Sequence, residues 1–258
     1  MAKINIEIKQ KMLSLIQNGS SINSISKESG LYKSTIYYHY KKILGKKILE
    51  PYFYVSQSEA EGEIIGAFAA DGGCVVNIGI YDVNFYIGGN EQDYCKKLVT
   101  LLNNYFHKKP YIYKTEHKNL IAIRYRSKTI YNFLKHYLTW NGKKVYSIKL
   151  QSLKLSPEFL KGFIRGYFDC DGYSYKDNRK VVMMGVSSEM LHQIYDIVQK
   201  LGFCPIYSVY KEKRKNMHDL HKVILKGLEA ERFIQFISPN NCIRIRKWGC
   251  RDSNFRSF

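Results

Sequence analysis

Acidic residues are scarce in this chain, and the short motifs that assemble metals or disulfides are missing. The 258 residues hold 22 Asp and Glu against 41 Lys and Arg, a net charge of +19. Such an imbalance leaves a surface that seeks a polyanion. The six cysteines, at 74, 95, 170, 204, 242 and 250, include no Cys-x-x-Cys pair. That argues against a zinc ribbon or a disulfide framework, and Cys74, Cys170 and Cys204 are expected to be small core residues. The seven histidines form no His-x-x-His or His-Glu-x-x-His cluster, so no histidine-held metal is expected. No apolar run approaches the roughly 20 residues of a membrane-spanning helix, and the N-terminal stretch lacks the apolar segment of a secretory signal. Nucleic acid is therefore favoured over a membrane as the polyanion, with the cytoplasm as the expected location. Hydrophobic content of 45% and aromatic content of 14% leave ample material for a buried core.

What is present is a stretch carried twice. Gly62-Glu-Ile-Ile-Gly-Ala-Phe-Ala-Ala-Asp-Gly72 recurs as Gly162-Phe-Ile-Arg-Gly-Tyr-Phe-Asp-Cys-Asp-Gly172, with an offset of 100 at every matching position. Small residues at 62, 66 and 70, and at 162, 166 and 170, lie four apart and so share one helix face. A small-residue stripe lets a second backbone approach closely, so the two helices are expected to pack on each other. Gly72 and Gly172 are expected to end them as left-handed caps. Each helix then delivers one aspartate, Asp71 or Asp171, to adjacent ends. Two converging carboxylates oppose each other's ionisation, and a hard divalent cation is the natural resident between them.

The remainder of the chain repeats around these helices. After the first copy come strands at 74–81 and 82–87, a helix carrying Tyr94, Leu98, Leu101, Leu102 and Tyr105, strands at 111–114 and 120–126, and a helix at 128–138. After the second copy the same order appears at 173–176, 180–185, 189–201, 206–211, 222–225 and 229–236. Both halves therefore have the order αββαββα, an α+β arrangement with pseudo-twofold symmetry and two antiparallel sheets. In the first expected strand Cys74, Val76, Ile78 and Ile80 should pack while Asn77 and Tyr81 face away; in the second, Val83, Phe85 and Ile87 alternate with Asp82, Asn84 and Tyr86. Arg124 and Arg126 share a face, as do Lys222 and Lys226.

Residues 1–50 form a separate helical unit in this reading. Ile8, Met12, Leu15 and Ile16 recur at helical spacing up to Asn18-Gly19. Ser21 caps a second helix ending at Gly30, and a third, basic and aromatic helix follows over 34–42. That is the helix-turn-helix pattern, carrying nine Lys against three Glu. Early residues of its third helix, Lys33, Ser34, Thr35, Tyr37 and Tyr38, are the candidate nucleic-acid contacts. Residues 51–58 form the junction, with Tyr52, Phe53 and Tyr54 suggesting a packed connection, before halves at 59–150 and 151–258.

Aligned letter by letter, Ile64–Gly72 and Ile164–Gly172 resemble the paired motifs of the single-chain LAGLIDADG homing endonucleases, and Ser21 to Lys42 resembles bacterial and archaeal helix-turn-helix segments. One departure stands out: the earlier aspartate of the motif is kept as Asp169 but is Ala69 in the first copy. The resemblance implies hydrolysis of one phosphodiester per strand at a long, specific site in double-stranded DNA, by a monomer using Mg2+, with Mn2+ as a substitute. It places the metal on Asp71 and Asp171 with the adjoining Ala70 and Cys170. It also implies a lysine from each half near the scissile phosphates, for which position offers Lys143 or Lys144 in the first half and Arg246 or Lys247 in the second. The free sheet faces would lie on the duplex, through Asn77, Tyr81, Asn84, Arg124 and Arg126 in one half and Tyr175, Lys180, Lys222 and Lys226 in the other. A non-cleaving DNA-binding regulator and an intron RNA maturase are the alternatives on the same scaffold. No splicing blocks flank the chain, so a free-standing protein is expected.

Overall fold

The computed structural model describes residues 5–44, 53–115, 119–151, 154–175, 179–212 and 218–245. The chain divides into two compact units, Met1–Glu50 and Pro51–Phe258.

In the first unit, α1 (Ile6–Gln17) starts at Asn5, whose side chain accepts the Glu7 N–H. α2 (Ile22–Ser29) is capped by Ser21 and stops at Gly30, which takes the left-handed conformation at φ +66°. Ser26 Oγ donates to Leu31 O at 2.8 Å, closing the turn that leads into α3 (Lys33–Leu44). Met12, Ile16, Ile25 and Ile36 are fully buried, so each helix contributes one side of a small core. The apolar spacing read from the sequence is the cause of this packing.

The second unit starts with α4 (Glu59–Asp71), entered through a capping box between Ser58 and Glu61. Glu61 is fully buried and also accepts the Ser56 N–H and the Tyr105 hydroxyl, so its charge is satisfied at the helix start. There follow β1 (Gly72–Asn77), β2 (Ile80–Gly88), α5 (Gln92–Phe106), β3 (Tyr111–Lys114), β4 (Leu120–Arg126) and α6 (Lys128–Tyr137). A connecting segment holds β5 (Leu138–Thr139), α7 (Lys144–Ser147) and β6 (Lys149–Leu150), three short elements with no counterpart in the sequence reading. The order then repeats as α8 (Pro157–Asp171), β7 (Gly172–Tyr175), β8 (Lys180–Gly185), α9 (Ser188–Lys200), β9 (Ile206–Tyr210), β10 (Leu220–Lys226) and α10 (Leu228–Ile237). Each half forms a four-stranded antiparallel sheet of equivalent order, β1-β2-β4-β3 and β7-β8-β10-β9. Phe53, from the junction, packs on Phe106 and Phe133 with ring centroids 5.2 and 5.0 Å apart.

The two motif helices meet backbone to backbone. A methyl group added at Gly62 or Gly66 would overlap the carbonyl of Phe159 or Phe163, and one at Gly162 or Gly166 would overlap that of Glu59 or Glu63. Arg165 on α8 crosses this interface to Glu59 and, at 3.1 Å, to Glu63.

Three expectations are corrected. Gly72 and Gly172 are not left-handed caps: both are extended, at φ −83° and −97°. They are needed because a Cβ at either position would strike the ring and carbonyl of Phe68 or Phe168 as the helix passes straight into a strand. The strand expected at 74–81 is broken by a turn at Ile78-Gly79, where Gly79 sits at φ +70°. Val76 and Ile78 consequently face solvent, with Ile78 97% exposed. Cys204 is exposed at the end of a turn after α9, not in the core.

Replacing Gly66 or Gly166 with Ala should destabilise the second unit by about 1–3 kcal/mol each, the usual range for overpacking a well-filled interface. Urea denaturation measures this, and a loss within a few tenths of a kcal/mol would contradict the close contact.

Candidate active site at the paired helix ends

Asp71 and Asp171 are the last residues of α4 and α8, so the close helix contact brings both carboxylates to one place. Helix C-termini are negative poles, and neither acid has a neutral environment. Burial, foremost, raises the carboxyl of Asp71. Burial and then the charge of Asp71 push Asp171 up to about 7, against the pull of Lys144 and Arg244.

Lys144 reaches this point from α7, a single turn. Gly142 at φ +61° reverses the chain before it. Ser147 Oγ accepts the Asn141 N–H at 3.0 Å and donates back to Asn141 O at 2.6 Å. The Lys144 ammonium then donates to the carbonyls of Phe68, Ala69 and Ala70 at 2.7, 2.8 and 3.2 Å. It thus covers the negative end of α4. Desolvation lowers its pKa to about 8, while Asp171 and Asp71 pull the other way. Lys143, the other first-half candidate, lies just before α7 and makes no comparable reach.

In the second half, the described basic residue whose charge acts on both aspartates is Arg244. Lys247 and Arg246, the sequence candidates, lie outside the described residues. Arg244 stands 100 positions after Lys144, the offset that relates the motifs, so register was the signal that would have found it. Its Nε lies 3.0 Å from Glu91 Oε1, an ion pair whose N–H is not aimed well enough to make a hydrogen bond.

The Ala69/Asp169 departure has a structural cause. Asp169 is fully buried and accepts the backbone N–H groups of Asn241 and Asn240 at 2.9 and 3.0 Å. Asn241 Nδ2 returns to Asp169 O at 2.8 Å and reaches Glu91 Oε1 at 3.1 Å. Asp169 therefore fastens the turn at 241–245 that carries Arg244, and burial pushes its pKa up to about 7 despite those N–H groups. In the first half, Lys144 donates to the Ala69 carbonyl at the corresponding position.

The residues fit a hard cation. Among the described residues no group of three or more His, Cys, Asp or Glu converges as a metal centre. Mg2+, however, is commonly held by one or two carboxylates together with water and phosphate oxygens. Two half-buried carboxylates, both raised by burial and Asp171 further by the charge of Asp71, supply that donor set. The Cys170 thiol is kept protonated by burial and lies 3.6 Å from Tyr94 Oη, so only the backbone of Cys170 is available as a donor. Ala70 likewise offers only its carbonyl, which Lys144 already bonds.

The sheet candidates separate by register. In the first sheet, Asp82 pairs with Arg126 and Asn84 with Arg124, so all four share the face opposite Val83, Phe85, Ile123 and Tyr125. Asn84 does not offer its side chain outward: it is buried, and its Oδ1 has no partner. Tyr81 points to the helix side, its ring 5.2 Å from Tyr131 of α6, and leaves the candidate face for that reason. Asn77 is exposed and accepts the Ile78 N–H within the turn. In the second sheet, Tyr175, Lys180 and Lys226 align across three strands, and Lys222 is on the same face, opposite Val181, Met183, Val223 and Leu225. In the three-helix unit, Lys33, Ser34, Tyr37 and Tyr38 are exposed and Thr35 half-buried, with Lys42 Nζ 4.7 Å from the Tyr38 ring centroid.

The family model described as "LAGLIDADG-like domain" matches residues 158–238. The crystal structure of I-DmoI in complex with DNA and Mn superposes with a TM-score of 0.53 at 13% identity, over 70% of this chain and 97% of that one. The N-terminal LAGLIDADG domain of DUF199/WhiA gives 0.50 at 14%, over 71% and 84%. Among curated proteins, a component of the A-type ATP synthase of Pyrococcus abyssi (strain GE5 / Orsay) is 24% identical over 230 residues, 88% of this chain. The chain spans only 21% of that relative's length. With two in-register motifs, duplicated sheets of one order and helices joined through glycine, the second unit has the LAGLIDADG fold, and residues 158–238 match the LAGLIDADG-like domain family.

Proposed function

We propose that the protein is a site-specific double-stranded DNA endonuclease of the homing type, hydrolysing one phosphodiester in each strand. The observation that carries this reading is the half-buried pair Asp71 and Asp171 at abutting helix ends, both kept reluctant to ionise by burial, and Asp171 further by the charge of Asp71. A pair so placed costs stability unless a cation neutralises it. Mg2+, or Mn2+ in its stead, would be held by these two carboxylates, and such an ion polarises a phosphate and lowers the pKa of water. The similarity to a LAGLIDADG structure containing DNA and Mn supports the same choice.

The chain's own residues have separate tasks in this mechanism. Asp71 and Asp171 supply fixed negative charge where substrate and cation meet. Lys144 brings a desolvated positive charge beside them, suited to an anionic scissile phosphate, and Arg244 is its counterpart in the second half. Arg124, Arg126, Lys180, Lys222 and Lys226 would hold the duplex on the free sheet faces. Residues 1–50 are proposed as a helix-turn-helix domain that lengthens the contacted site through Lys33, Ser34, Thr35, Tyr37 and Tyr38. One chain provides both halves, so a monomer suffices.

A second reading is a non-cleaving DNA-binding regulator. It is favoured by one observation: Lys144 already satisfies the carbonyls at the end of α4, so positive charge occupies the site without any metal. Retention of both aspartates weighs for the enzyme.

Incubation with a randomised duplex library and Mg2+ should yield discrete double-strand cuts. Asp71→Asn and Asp171→Asn should each lower cutting at least about a hundredfold while changing binding little. Specific binding by the wild type without any cutting would select the regulator.

The raised carboxyl of Asp171 gives a second test. Its folded-state pKa of about 7 exceeds the ordinary carboxylate value, so the native state holds a proton that the unfolded chain releases. Stability from this group is therefore present at low pH and lost as pH rises towards 7. In EDTA, the Tm difference between wild type and Asp171→Asn should shift by several degrees against the wild type from pH 5 to pH 8. The difference is the proper readout, because the lowered His39 and His221 act in the same window with opposite sign. Mg2+ at pH 8 should raise the wild-type Tm and leave Asp171→Asn nearly unchanged.

A further inference from the structure

The two sheets are equivalent in topology but not in the chemistry of their free faces. In the first, Asp82 is 6% exposed and sits between two arginines: Arg126 donates through Nε at 2.8 Å and Nη2 at 3.2 Å, and Arg124 donates through Nη2. The guanidinium hydrogen bonds hold the Asp82 carboxyl down at about 2, so it stays ionised at any working pH. Arg126 remains 63% exposed and Arg124 30%, and with Tyr111 they line an open recess of about 260 Å³. Beside them, Asn84 carries a buried Oδ1 with no partner.

At the matching offset of 100 the second sheet has Val182 for Asp82, Met184 for Asn84, Ile224 for Arg124 and Lys226 for Arg126. Val182 and Ile224 are register partners and both are buried, so this face has an apolar centre flanked by Lys222 and Lys226. Unlike the first sheet, it has no carboxylate at this position to orient a cationic side chain.

Orientation decides what an arginine recognises. A free guanidinium on a long side chain settles on phosphate, whose charge is everywhere along the duplex. A guanidinium held along one edge by a carboxylate loses that freedom, and its remaining N–H groups present a planar fork. Such a fork matches the two acceptors O6 and N7 of guanine in the major groove.

We propose that Asp82 is a specificity-determining positioning residue: by bracing Arg124 and Arg126 on the first sheet, it commits that half of the chain to guanine in duplex DNA. The second half, with braced arginines absent at the equivalent positions, contributes phosphate attraction and apolar contact instead. This inference rests on the DNA-binding reading above but not on cleavage.

Sequence selection from a randomised duplex library in Ca2+, at two salt concentrations, separates the two. The wild type should enrich sites with one or two guanines in one half only. Asp82→Asn, which keeps the shape and removes the charge, should lose about tenfold or more of that guanine preference. Its overall affinity should hold or rise, and its dependence on salt should steepen as the released arginines turn to phosphate. Replacing the selected guanines with 7-deazaguanine should weaken the wild type by a similar factor and leave Asp82→Asn unaffected. Arg124→Lys with Arg126→Lys, which preserves charge and leaves Asp82 in place, should lose the same preference, so the test survives a poorly folded Asp82 variant. Guanine preference intact in either variant overturns the role of Asp82 alone. A wild type that enriches no sequence overturns the DNA-site reading and this inference together.

Discussion

Everything in the larger unit depends on two helices touching through their backbones. Four glycines, two from each helix, place α4 against the carbonyls of α8 and the reverse, at separations where a single methyl would not fit. This contact joins the two halves of the core and brings the C-terminal residues of both helices together. The raised carboxyls of Asp71 and Asp171 are its direct electrostatic consequence, and Lys144 and Arg244 are the positive charges that respond to it.

Much of this was readable from the sequence because it depends on spacing. The four-residue interval of Gly62, Gly66 and Ala70, repeated at Gly162, Gly166 and Cys170, specified a helix face, and its identical partner specified what that face touches. Strands β3, β4 and β8 ran where the sequence placed them, although only β4 and β8 bury side chains. Other features depend on contacts between distant residues and leave no local trace. Asp169 looked like a motif residue with a missing twin, whereas its partners are Asn240 and Asn241, some seventy residues away. Gly72 looked like a helix cap because glycine commonly is one; the Phe68 ring, invisible to pattern reasoning, is what requires it. The turn at Ile78-Gly79 was missed because apolar alternation ran on through residues that turn out to be exposed. Asp82 appeared to be only a polar alternate on β2, and its meaning comes from strand register with Arg124 and Arg126.

The halves have diverged in a consistent direction. In the first, an ammonium on helix carbonyls and a carboxylate between two arginines fill the positions near and away from the helix ends. In the second, a guanidinium tied toward Glu91 and an apolar sheet centre take those places. The backbone arrangement was kept while the side chains on it changed, as expected when topology sets where residues go and substitution sets what they do.

The glycine contact also works as a fixed gauge. The separation of the two carboxylates is set by backbone against backbone, with no long side chain in between that could relax or adopt a second rotamer. The sheets hang on the outer sides of the same helices. Substitutions on their free faces can therefore accumulate without changing the spacing at the centre. On the proposed function, such a chain can wander from one target to another while its chemistry stays in place, and the glycines are the positions where that freedom ends.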